Sequence, residues 1–146
     1  MKKNIQDYKK PIALELPNGY LENGYFDENG NIIENFITLW AEDIAKKLGN
    51  STPDMKKHQL RRFFNHVRSL ERRLYLSNFE KINKDLKMLL SYATSAAFAS
   101  PPKIPKLFEE FIRKNLAFIK DSKTFLAFVQ HFEAIVGFSE KYLKKN

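Results

Sequence analysis

The chain has 146 residues, the usual size of one domain, and its 43% hydrophobic content with thirteen phenylalanines is enough for one packed core. Five glycines and six prolines are too few for a sandwich or barrel that turns roughly every ten residues, so the composition argues against all-β architecture and for helices. A net charge of +8 and a pI near 9.6 point to a polyanionic partner, nucleic acid or an anionic membrane surface, although solubility alone can produce the same total.

The chain starts MKKNIQDYKKP, without an apolar stretch of the signal-peptide kind, and no run approaches the roughly 18 apolar residues of a membrane span. A cytoplasmic protein with no membrane partner is expected. The absence of cysteine rules out a disulfide framework and thiolate chemistry. Residues 1–30 read as an N-terminal extension: Asn18-Gly19, Asn23-Gly24 and Asn29-Gly30 are turn-forming pairs, which predicts a loop or a short hairpin. Residues 31–146 read as the helical domain.

There, Ile33, Phe36, Ile37, Trp40, Ala41, Ile44 and Leu48 recur at steps of three and four, which predicts a first helix with Gly49 as its left-handed cap. A second helix is expected from about Pro53, capped by Thr52, with Leu60, Phe63, Phe64, Val67, Leu70 and Leu74 on its apolar face. Ser77 and Glu80 form a capping-box pair for a third, carrying Phe79, Ile82, Leu86, Leu89, Leu90 and Ala93. Pro101, Pro102 and Pro105 interrupt the chain before a fourth, with Leu107, Phe108, Phe111, Ile112 and Phe118. A fifth, capped around Asp121 or Ser122, carries Phe125, Phe128, Val129, Phe132, Ile135, Val136 and Leu143. Five amphipathic helices must share their apolar faces, so the expected fold is an all-α, single-domain bundle with Trp40, Phe64, Leu86, Phe111 and Phe132 inside.

The segment QLRRFFNHVRSLERRL, Gln59 to Leu74, holds five of the six arginines in a chain that otherwise uses nineteen lysines. On a helical wheel Lys57, Arg61, Arg68 and Arg72 fall within about 60° of one another with Asn65 beside them, a stripe roughly 23 Å long. Arg62, Arg73 and His66 flank the other edge of the apolar face. A solvated face is the plain reading, but no acidic residue stands at i,i+4 to knit it together, and guanidinium grips phosphate by a planar fork that ammonium lacks. The intervening phenylalanines have core spacing.

No catalytic constellation is present. His58, His66 and His131 lack metal-ligand spacing and read as surface or half-buried residues; the His131-Phe132-Glu133 triplet has no partner cysteines. Glu109 and Glu110 open a helix, where the dipole favours carboxylates. No cofactor and no enzymatic activity are expected.

GYFDENGNI (Gly24 to Ile32), QLRRFFNHVRSLE (Gln59 to Glu71), KMLLSYA (Lys87 to Ala93) and FVQHFEAIVGF (Phe128 to Phe138) together resemble the small helical subunit of the type III-A CRISPR effector, the Csm complex. The resemblance implies a non-catalytic protein that stacks in several copies along guide RNA and target RNA, in contact with the other Csm subunits. It implies that basic residues after the Gln-Leu-Arg motif face target RNA, here Arg61 and Arg62, with Arg68 and Arg72 at the later basic positions. The chain departs from the pattern at Met55 to His58, where small hydroxyl residues are expected. Two rivals remain open: a stand-alone helical adaptor whose basic face binds an acidic protein or anionic lipid, and a small nuclease.

Overall fold

The computed structural model describes residues 14–146; residues 1–13 of the predicted extension, including the whole MKKNIQDYKKP start, lie outside the described residues. A 3-10 helix, Glu34–Ile37, precedes five α-helices: α1 Leu39–Asn50, α2 Lys57–Leu76, α3 Phe79–Ala97, α4 Lys106–Leu116 and α5 Ser122–Tyr142. Among the described residues there is no strand, only an isolated antiparallel bridge between Phe26 and Ile32. The protein is an all-α bundle.

The apolar periods form its interior. Ile44 and Leu48 from α1, Leu60, Phe64 and Val67 from α2, Ile82, Leu86 and Leu89 from α3, Phe108 and Phe111 from α4, and Phe125, Phe128 and Phe132 from α5 are all buried in one cluster. The longest helix, α5, lies against α1 and α2, while α3 pairs with α4 and also meets α2. Aromatic rings bind the centre: Phe132 meets Phe64 at 5.2 Å, Phe111 edge-on at 5.5 Å and Phe128 at 5.7 Å. Of the five expected interior residues only Trp40 departs. It is half-buried, edge-on to Phe36 at 4.9 Å, at the rim of the core.

The turns before the bundle also reach the core. Gly19, Gly24 and Gly30 have φ of 78°, 74° and 81°, the left-handed conformation that the Asn-Gly pairs call for. These turns bring Tyr20, Leu21 and Tyr25 into the buried cluster. His131, expected near the surface, is fully buried there. Its Nδ1–H donates to the Phe36 carbonyl at 2.5 Å and its Nε2 accepts from the Tyr20 hydroxyl at 2.6 Å. Asn115 donates to Tyr20 at 2.9 Å and accepts from Tyr25 at 2.7 Å, so Tyr20, Tyr25, Asn115 and His131 all find partners within this network. A polar network of this kind makes burial of histidine tolerable. Glu109 is likewise more than a dipole partner: nearly buried, it accepts from Thr94 at 2.9 Å and Arg113 at 2.6 Å, tying α4 to α3.

Helix ends differ from the sequence expectation where tertiary contacts set them. The first helix does not run unbroken from Ile33, because Thr38, at φ −128° and ψ −99°, separates the 3-10 turn from α1. Gly49 lies inside α1 and is no cap; a Cβ there would collide with the Tyr142 carbonyl oxygen where α1 crosses α5. The second helix starts at Lys57 and not near Pro53. Gln59 Oε1 accepts from the Lys56 N–H at 2.9 Å and the Lys144 carbonyl accepts from the Lys57 N–H at 2.8 Å, satisfying groups a helix start leaves open. Asn78, not Ser77, caps α3 through Lys81 N–H at 3.1 Å, since the Ser77 hydroxyl donates back to Arg73. Asp121 caps α5, accepting from Thr124 N–H at 2.9 Å. Phe118 falls beyond the end of α4 and is exposed; Leu143, just past α5, is buried.

Candidate nucleic-acid interface

Lys57, Arg61, Arg62, Arg68, Arg72 and Arg73 all lie on α2, whose apolar side is taken by the core, so the helix presents these six cations along its outer surface. Lys57, Arg61, Arg68 and Arg72 run along the edge nearest α5, and Arg62 and Arg73 along the edge nearest α3.

No acidic residue stands at i,i+4 on α2, yet carboxylates at other positions knit this face. Lys57 Nζ lies 3.3 Å from Glu140, and Arg61 pairs with the other oxygen of the same carboxylate. Arg68 bridges Glu71 at 2.8 Å and Glu133 at 3.0 Å, with its guanidinium over the Phe64 ring at 5.2 Å. Arg73 pairs with Asp85 of α3 at 2.6 Å. The reason is packing: except for Glu71, the partners come from helices alongside, 12 to 83 residues away in the chain, where an i,i+4 search cannot find them. Glu133 and Glu140 stand seven residues apart on α5, matching Arg61 and Arg68 seven apart on α2. That shared spacing is the signal in the sequence that could have found them.

Arg62 and Arg72 are exposed and have no carboxylate within ion-pair distance among the described residues. The six cations of α2 therefore face four carboxylates, and the surface stays basic. The pairs themselves are open to exchange. The side chains of Arg61 and Glu140 are 51% and 54% exposed, and ion pairs in such positions are screened by solvent and add little stability. Hydrogen bonds from Arg61 and Lys57 hold the Glu140 carboxyl below the usual carboxylate range, and the Glu71 hydrogen bond raises the Arg68 guanidinium further above its own. Both groups stay charged at neutral pH.

At the start of α2, Lys57, His58, Arg61 and Glu140 line a shallow cavity with Lys145 and Asn146 of the C-terminal tail, about 470 Å³ in volume. His58 Nδ1 lies 3.3 Å from the Lys145 carbonyl, which draws that tail to the helix start. Three cations around one carboxylate make a site where an anion can replace the glutamate.

Among the described residues no three histidine, aspartate or glutamate side chains gather as metal ligands, and no helix is long and apolar enough to cross a membrane. A family model, Csm2 Type III-A, matches residues 34–145, which include all five helices. Comparison with curated proteins and with solved structures gave no match.

Proposed function

Because the chain belongs to the Csm2 type III-A family and is thus a small subunit of the type III-A CRISPR Csm complex, we propose that α2 holds guide RNA and target RNA by their phosphates while the subunit does no chemistry. The supporting observation is the pair Arg62 and Arg72, exposed guanidiniums without carboxylate partners among the described residues, on a helix where Arg61 and Arg73 are held only by exposed, exchangeable pairs. Contacts to phosphate carry no sequence information, which suits a subunit that repeats along different guides while base pairing reads the target. Copies of the chain stack along the RNA through different surfaces at their two ends.

The test is the assembled complex carrying Arg62→Glu and Arg72→Glu. RNA retention should fall at lower salt than in the parent complex. Unchanged retention across the salt series would overturn the reading, and retention of acidic protein or anionic vesicles in place of RNA would favour an adaptor. Labelled single-stranded RNA should survive incubation with the purified chain and Mg²⁺ or Mn²⁺; cleavage that follows the protein through two columns would show a nuclease.

A further inference from the structure

We infer that the cleft between α2 and α3 is a nucleobase slot, in which Tyr92 offers its ring to one unpaired RNA base while Arg62 takes an adjoining phosphate. The inference rests on the RNA reading above and goes beyond it, since phosphate contacts alone need no aromatic surface.

Four observations place the site. A cavity of about 220 Å³ is lined by Arg62, Phe63 and His66 of α2 and by Leu89 and Tyr92 of α3, below the roughly 300 Å³ at which cofactor clefts begin and suited to a single ring system. Tyr92 is 49% exposed, so one side of an aromatic ring faces solvent at the cavity mouth. The His66 ring stands edge-on to Tyr92 at 6.1 Å and 85°, fixing the tyrosine while its own Nε2, buried, has no hydrogen-bond partner. A buried ring nitrogen without a partner is costly, and the edge of a base carries both donors and acceptors that could satisfy it. Lastly, no carboxylate lines the cavity, and Arg62 has no ion-pair partner among the described residues, so the charge favours an anionic nucleotide over a cationic ligand.

Bases stack on aromatic side chains regardless of sequence, because every base has a π-face. The slot would therefore add affinity for single-stranded RNA without adding sequence preference. It sits on the α3 side of α2, opposite the Glu133 and Glu140 edge, so a strand that crosses α2 meets the paired cations first and Tyr92 last.

The experiment compares binding of the full chain to a short unstructured oligoribonucleotide and to the same backbone with abasic residues, for the parent and for Tyr92→Ala, Tyr92→Phe and His66→Ala, at two salt concentrations. The parent should bind the base-bearing strand about 5- to 100-fold more tightly than the abasic one, and Tyr92→Ala should abolish most of that ratio without changing the salt slope. Tyr92→Phe should keep the ratio, because the ring carries the stacking. Melting curves should show the two Tyr92 variants folded, since Tyr92 is half exposed. Equal binding of the two strands by the parent, with a normal salt slope, would overturn the slot and leave the phosphate reading intact. Failure to bind either strand would remove both. If Tyr92→Ala leaves the ratio unchanged but weakens self-association in sedimentation, the cleft is a contact between copies and the inference is wrong.

Discussion

Tyr20 and His131, 111 residues apart in the chain, share a 2.6 Å hydrogen bond that fastens the turns before the bundle to the middle of its longest helix. The carbonyl of Phe36 can only accept, so the proton of His131 is on Nδ1 and Nε2 is left to accept from Tyr20. The imidazole is neutral, and burial lowers its pKa to about 4 from an ordinary value near 6.5. In the unfolded chain the ring takes a proton below about pH 6.5, while in the folded chain it resists until about pH 4.

Stability should therefore be unaffected by this group above pH 6.5 and fall as the pH drops from 6.5 to 4, by about 3 kcal/mol at most. Chemical denaturation across that range checks it. His131→Gln, which cannot titrate, should start less stable but show a flatter dependence between those limits.

Gly49 carries a second prediction. Its Cα faces the Tyr142 backbone, and an added Cβ meets a carbonyl that cannot swing aside as a side chain could. Gly49→Ala would normally strengthen a helix, by roughly 1 kcal/mol. Here it should destabilise by about 1–3 kcal/mol, the usual range for overpacking, because α1 and α5 must move apart. A rise in melting temperature would show that the crossing has slack.

These two residues also mark where the sequence stops being informative. Steps of three and four located all five helices, because burial of one face is what the spacing records, and Phe64, Leu86, Phe111 and Phe132 are inside as that spacing implies. A glycine after an apolar run reads the same whether it caps a helix or makes room for a crossing one, and only the Tyr142 carbonyl tells them apart. His131 carries a local clue, since it lies among Phe128, Phe132 and Ile135 on an inward face, but its hydrogen-bond partners come from two distant segments. The basic side chains of α2 were visible as a group, but which of them are paired depends on helices that only the fold brings alongside.

Glu140 tests whether those pairs restrain binding. Lys57 and Arg61 both hold it, so a phosphate must displace the carboxylate to reach either cation. Glu140→Gln should tighten RNA binding several-fold at low salt and steepen the salt dependence, by about 0.7 in slope for each cation newly engaged. Weaker binding would mean that the carboxylate positions the cations and does not compete with RNA.

The contrast between Arg72 and Arg68 separates binding from folding. Arg72 is exposed and unpaired among the described residues, so Arg72→Ala should leave stability within about 0.5 kcal/mol. If it neutralises a phosphate, the slope of log affinity against log salt should fall by about 0.7 for single-stranded RNA, equally for unrelated sequences. Arg68 is bound up with Glu71, Glu133 and the Phe64 ring, so Arg68→Ala should cost about 1 kcal/mol of stability, and its loss of affinity should be smaller wherever those carboxylates already occupy it. Phe64→Ala provides the buried reference: it should cost about 3–5 kcal/mol and reduce binding only through unfolding. Melting temperature and RNA affinity at two or more salt concentrations, measured on all three variants, separate the cases. An Arg72→Ala protein that melts and binds like the parent, with the same salt slope, would mean that the unpaired guanidinium only solvates the helix.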